Sequence, residues 1–267
     1  MAQGLADWNV KPDHIDPWFN ELDVNKTLVA GQWGHAYPAD TDEDVYGDWW
    51  ELAVAFFDQT LDGADTGLFA EDRAYIQDNA GDWQTYEDTW PPAEAEHRFL
   101  NLTADGLGWD QAPEGEVGWQ ATKGQQTATD ASQVVLRSEE LDEDLHLSGT
   151  PELNLTVEAS EDDVHLVAVL AVDDGEGPSR QNFGYLDPTY RSGLEDPQRL
   201  IPGEPTPVTI EMYPQEDVIP AGSTIELTLR SHDEGRTVPA YDSGEVTVHL
   251  DGERPGQLAL PVSPLAE

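Results

Sequence analysis

From about residue 66 to the end, apolar residues recur at every second position in short runs broken by Gly, Pro and Asp, and this period constrains the fold more than any other feature. Arg73-Ala74-Tyr75-Ile76-Gln77, Arg98-Phe99-Leu100-Asn101-Leu102, Leu153-Asn154-Leu155-Thr156-Val157 and Val164 to Leu170 suit strands. So do Val208 to Met212, Ile225 to Leu229 and Val246 to Leu250. Many alternating strands with turn residues between them, and few helical stretches, predict an antiparallel sandwich or jelly roll over residues 66–267. Residues 1–63 read instead as α/β. Pro12 and Pro17 frame a short helix with Ile15, Trp18, Phe19 and Leu22, and Thr27-Leu28-Val29-Ala30 is an apolar run of the kind buried parallel strands show. A second helix from near Asp44 sets Trp49, Leu52, Ala53, Phe56 and Leu61 on one face and stops at Gly63. Trp49, Phe56 and Phe57 are expected in a core.

Charge decides which partners are excluded. Fifty-five acidic residues against 12 basic ones give a net charge of −43, and the carboxylates are scattered along the chain. Such an excess repels itself in the compact state, and molar salt, with a Debye length of about 3 Å, relieves it. A whole-surface adaptation of this kind points to a halophile's protein in a high-salt cytoplasm. Nucleic acid is excluded as a partner, because phosphate contacts need clustered Lys and Arg. Cysteine is absent, so disulfides and thiolate metal sites are impossible. The sequence contains neither a signal-peptide pattern nor an apolar run long enough for a membrane span, although a fragment could have its targeting signal elsewhere.

Two short segments bear the chemistry. Gly4-Leu5-Ala6-Asp7-Trp8-Asn9-Val10 and Gly31-Gln32-Trp33-Gly34-His35 each set a functional group where an apolar run meets a polar turn. Their spacing leaves room for one helix and one strand, so two strand-end loops can meet at the carboxyl edge of a parallel sheet. There a carboxylate accepting from Nδ1–H would hold the imidazole in the tautomer that takes a proton through Nε2. Asp7 and His35 are therefore the candidate catalytic residues, and Trp33 and Trp8 candidate pocket residues. No Gly-x-Ser-x-Gly occurs anywhere in the sequence. The nucleophile is expected on a segment outside these 267 residues, and the isolated chain is expected to be inactive.

The order of these motifs resembles the last two members of a Ser…Asp…His triad in α/β-hydrolases. More specifically, the chain is similar to the Xaa-Pro dipeptidyl-peptidase and cocaine-esterase-like family of serine hydrolases. Gly4 to Pro12 resembles the segment with that family's catalytic Asp, and Asp-x-Asn-Val is closer to the peptidase branch than to the esterases. Leu28 to His35 resembles the Gly-x-Trp-x-His segment, and Phe56 to Gly63 the helix end that closes the hydrolase domain. Trp83 to Pro92, Leu147 to Pro151, Gly184 with Tyr190-Arg191, and Ile219 to Ser223 match its carboxy-terminal jelly roll. The resemblance implies a mainly β chain: the carboxy-terminal remnant of an α/β-hydrolase domain (1–63), then a galactose-binding-like jelly-roll β-sandwich (66–267). It also implies peptide substrates with a penultimate Pro, or acyl esters, and an absent amino-terminal partner that holds the serine. No cofactor is implied.

The remaining candidates read as structural. Asp13-His14-Ile15-Asp16 is a solvated helix start, since adjacent helical residues diverge. Asp173-Asp174-Gly175-Glu176-Gly177 is a surface turn without the alternation and closing Glu of a Ca²⁺ loop. His146, His165, His232 and His249 lack ligand spacing. The rival functional class is a non-catalytic jelly-roll module that binds carbohydrate or a partner protein. Half a hydrolase domain would also expose a sheet edge and an apolar face, so self-association is expected.

Overall fold

The computed structural model describes residues 1–36, 49–68, 73–125, 127–238, 243–252 and 254–264, with Arg180 and Gln181 as backbone only. The chain is mainly β. Its first sheet runs β1 (Ala2–Gly4), β2 (Thr27–Gly31), β3 (Arg73–Gln77) and β4 (Trp83–Glu87) in that spatial order. β1 and β3 lie parallel to β2, and β4 returns antiparallel to β3. Helix α1 (Ile15–Glu21) connects β1 to β2 and turns Ile15 and Phe19 onto Leu28, Ala30, Ala74 and Ile76, with Trp90 in the same cluster. β2 is buried along Leu28–Gly31, which is why it reads as an unbroken apolar run.

The second helix lies partly outside the described residues, since 37–48 fall there; α2 is described from Trp49 to Phe57. A π-helical turn over Asp58–Asp62 follows and ends at Gly63, whose φ of 70° suits glycine. The expectation that Trp49, Phe56 and Phe57 are core residues is overturned. No residue of α2 is buried, and Phe56 and Phe57 are 42% and 55% exposed. An amphipathic pattern states which face is apolar and not what covers it, and the described residues put no second layer over this one.

Among the described residues, thirteen further strands build a sandwich. The larger sheet contains β5 (Glu96–Thr103), β6 (Gly106–Gly108), β7 (Glu116–Ala121), β9 (Leu145–Gly149), β10 (Glu152–Ala159), β13 (Thr206–Glu211), β14 (Gln215–Ile219), β16 (Gly244–His249) and β17 (Gln257–Val262). The smaller sheet has the order β12 (Pro178–Leu186), β11 (Leu166–Asp173), β15 (Thr224–Arg230), β8 (Gln133–Arg137). Leu153, Leu155 and Val157 of β10 meet Leu166, Ala168 and Leu170 of β11 across one continuous core, where each buried Leu contributes about 1.5–3 kcal/mol. β11 is buried on its second face too: Val167 and Val169 cluster there with Phe183, against Tyr185 and Tyr213.

Candidate functional site

Two glycines bring the acid and the imidazole together. Gly4 and Gly31 are register partners at the carboxyl ends of β1 and β2, so both loops leave the sheet side by side. The Leu5 amide donates to Gly31 O at 2.7 Å and the Ala6 amide to Trp33 O at 3.2 Å, which ties one loop to the other. A Cβ on Gly4 would lie 2.3 Å from Trp33 O, and one on Gly31 would lie 2.1 Å from the Trp33 ring. Only hydrogen fits at either position. Trp33 is thus a buried spacer beneath the histidine loop, near Trp83 with ring centroids 6.3 Å apart.

His35 Nδ1 lies 3.0 Å from Asp7 Oδ2, and the other carboxylate oxygen accepts from the amides of Asn9 at 2.8 Å and Val10 at 3.0 Å. Burial pushes the Asp7 carboxyl up, but the Val10 amide, the His35 ring and the Asn9 amide together outweigh it and leave Asp7 below its ordinary value. Asp7 is therefore a carboxylate at neutral pH and accepts from Nδ1–H, so a neutral His35 ring has its lone pair on Nε2. The side chains are 8% exposed for Asp7 and 62% for His35. The acid is enclosed and the base is open to a reactant.

The sandwich holds both loops. Trp8 sets its ring edge-to-face on Phe183, 4.6 Å between centroids, and 5.9 Å from Tyr213. Arg236 stacks over Trp8 at 4.0 Å and over Phe183 at 4.5 Å. Asp233 in turn receives Arg236 at 3.4 Å and the Tyr185 hydroxyl at 2.8 Å. The outer face of β11 and β12, closed by Phe183, is thereby roofed by the residue next to Asp7. A cavity of about 230 Å³ lies between Asp7, Trp8, Asn79, Phe183 and Tyr213. On the histidine side, Gln32 Nε2 donates to Gln77 O at 3.1 Å and to Glu216 O at 3.3 Å.

Glu216 joins the first sheet to the sandwich. Its side chain is fully buried and accepts from Tyr86 Oη at 2.6 Å, Ser148 Oγ at 2.7 Å, Trp90 Nε1 at 2.8 Å and His146 Nε2 at 2.5 Å. Four donors satisfy a carboxylate that would otherwise be expensive to bury. In an acid-rich chain nothing in the local sequence distinguishes Glu216, so this joint is invisible before folding. His146 is structural, as expected, while His249 pairs with Glu158 at 2.9 Å and His232 Nδ1 lies 3.1 Å from Thr237 Oγ1. Asp16 accepts from Thr150 Oγ1 at 3.1 Å, and His14 precedes α1 in a left-handed conformation, φ 64°. Asp173 Oδ1 accepts from the Gly175 and Gly177 amides, as a surface turn does. His165 lies beside Asp163 and Asp187, with one donor atom from each within 4.8 Å of the others.

Comparison with known proteins places residues 67–259 in the X-Pro dipeptidyl-peptidase C-terminal non-catalytic domain. A Bacillus anthracis protein provisionally named Xaa-Pro dipeptidyl-peptidase is 24% identical over 94% of this chain and 43% of its own length. An Xaa-Pro dipeptidyl-peptidase of Pediococcus pentosaceus is 33% identical over 40% of the chain and 13% of its own length. The chain spans less than half the length of these curated relatives. Among solved structures, a CocE/NonD family hydrolase from Staphylococcus aureus superposes with a TM-score of 0.76 at 17% identity, covering 98% of this chain and 53% of that one. An aminopeptidase from a marine sediment Thaumarchaeota archaeon gives 0.72 at 18% identity, covering 98% and 54%.

Proposed function

Because the chain belongs to the family of the X-Pro dipeptidyl-peptidase C-terminal non-catalytic domain, we propose that it is the carboxy-terminal portion of a serine hydrolase, with Asp7 and His35 as the acid and base of the triad. The observation that carries this reading is the 3.0 Å contact between His35 Nδ1 and a buried Asp7 whose other oxygen is already held by two amides. Both residues precede the matched segment.

In this reading the serine comes from a further segment of the hydrolase, since the sequence has no Gly-x-Ser-x-Gly. His35 Nε2 takes the serine proton as Oγ attacks the acyl carbon, and Asp7 stabilises the imidazolium that forms. The imidazolium returns the proton to the leaving amine or alcohol. Water, deprotonated by the same nitrogen, then attacks the acyl carbon, and the imidazolium gives its proton to Oγ as the carbon–Oγ bond breaks and the acid leaves. Peptides with a penultimate Pro are the proposed substrates, with esters second. The sandwich acts by position: Trp8 seated on Phe183 fixes the Asp7 loop, and Gln32 against Glu216 fixes the His35 loop.

An active-site fluorophosphonate tests the assignment. The chain alone should form no adduct. Mixed with the serine-bearing segment, it should restore turnover of a chromogenic Xaa-Pro substrate, and Asp7→Asn should lower kcat by about 10⁴-fold. Stoichiometric labelling of a serine of this chain, or an undiminished rate after His35→Ala in the mixture, would refute it.

A further inference from the structure

The geometry points to a divalent-cation site on the sandwich formed by Asp163, His165 and Asp187, remote in sequence from Asp7 and His35. β11 and β12 are antiparallel, with Leu166 opposite Leu186. One step beyond that pair, His165 and Asp187 face each other. Asp163 lies two residues before His165, in the segment that leads into β11. The three donor atoms accordingly converge within 4.8 Å of one another, and all three residues are half-buried. His165 and Asp187 each adjoin the last pair of the hairpin ladder, which brings these two residues together from distant parts of the sequence.

Charge and chemistry agree on the class of ligand. Arg199 approaches Asp162 at 3.1 Å and Asp163 at 3.6 Å. The carboxylates of Asp162, Asp163 and Asp187 outnumber the one Arg199 guanidinium, an excess of negative charge that a divalent ion reduces. A donor set of one imidazole and two carboxylates, without thiolate, suits a transition ion such as Zn²⁺ or Mn²⁺ better than Ca²⁺, which takes six to eight oxygens. The Asp187 side chain is held in place, since its Oδ1 accepts from the Thr189 amide at 2.9 Å. His165 and Asp187 also line a cleft of about 1080 Å³ between α1 and the sandwich, so water can complete the coordination shell. The ion would tie the lead into β11 to the exit from β12.

Isothermal titration of chelator-stripped protein with Zn²⁺ tests this, in about 1 M KCl so that diffuse binding to the acidic surface is screened. One saturable equivalent is expected, with Mg²⁺ at the same concentration failing to compete. Asp163→Asn, His165→Ala and Asp187→Asn should each weaken it at least tenfold, while Asp174→Asn on the remote turn should leave it unchanged. The Co²⁺-loaded wild type should show X-ray absorption with mixed nitrogen and oxygen donors, a readout independent of how the variants fold. Absence of the saturable equivalent, its persistence in all three variants, or an oxygen-only shell around Co²⁺ overturns the site.

Discussion

His146 Nε2 and Glu216 Oε1 meet at 2.5 Å in the joint between the first sheet and the sandwich, and His146 Nδ1 faces Pro264 O at 3.4 Å. Both ring nitrogens therefore face acceptors, an arrangement that favours the imidazolium. Burial alone would lower the His146 value, but the Glu216 hydrogen bond and charge, helped by Pro264 O and Asp78, raise it above the ordinary histidine.

This raised value has a signed consequence. A group that binds its proton more tightly when folded adds stability that is fully present below its unfolded value, about 6.5, and lost as pH rises through the folded value. Urea unfolding at constant high salt should show stability declining above about pH 6.5, and His146→Gln should flatten that decline. A wild-type profile identical to that of His146→Gln would contradict the imidazolium.

Removing the acceptor should be worse than removing any one donor. Glu216→Ala strands the Tyr86, Trp90, Ser148 and His146 donors together. Breaking a buried charged pair by deleting one partner costs about 3–5 kcal/mol, and a chemical denaturation midpoint should register it. Tyr86→Phe removes one donor and should cost about 1–2 kcal/mol. Equal losses in the two variants would count against the hub.

Trp8→Ala should loosen the acid without deleting it. The indole is 38% exposed, so its loss should cost about 1–2 kcal/mol, less than the 3–5 kcal/mol of a fully buried Trp. The Val10 amide, which donates to Asp7, should exchange with solvent roughly tenfold faster, as read by native-state hydrogen exchange. Unchanged exchange would mean that Phe183 does not hold the loop.

Salt should govern stability more than any one residue. With a net charge of −43, raising KCl from about 0.1 M to about 1 M shortens the Debye length from about 10 to about 3 Å. The thermal midpoint should climb steeply over that range. A midpoint insensitive to KCl would remove the case for a high-salt habitat.

How much of this is legible before folding differs by element. Arg73 to Gln77 is a strand with the bounds its alternation predicts, because apolar and polar residues follow the pleat. Gln215 to Ile219 does not stand out as one. Its Gln215 and Glu216 are buried polar residues satisfied by partners far along the chain, Asn182 and Tyr86 among them, and periodicity is blind to such pairing. Asp7 and His35 are readable because each lies a few residues past a glycine that only a crowded strand end requires. Trp8 can be placed near a pocket from its neighbour Asp7, but its contact with Phe183 depends on how two sheets dock across 175 residues of chain. The cluster of Asp163, His165 and Asp187 is hidden likewise: Asp187 comes beside the other two only through the β11–β12 pairing.

Glu216 draws its hydrogen bonds from segments on both sides of the turn at residues 91–95. A lineage that replaced it with an apolar residue would have to change four neighbours in concert, so sheet and sandwich are inherited as a matched set. Grafting this sandwich onto a foreign hydrolase would fail at that seam unless Tyr86 and Trp90 travelled with it.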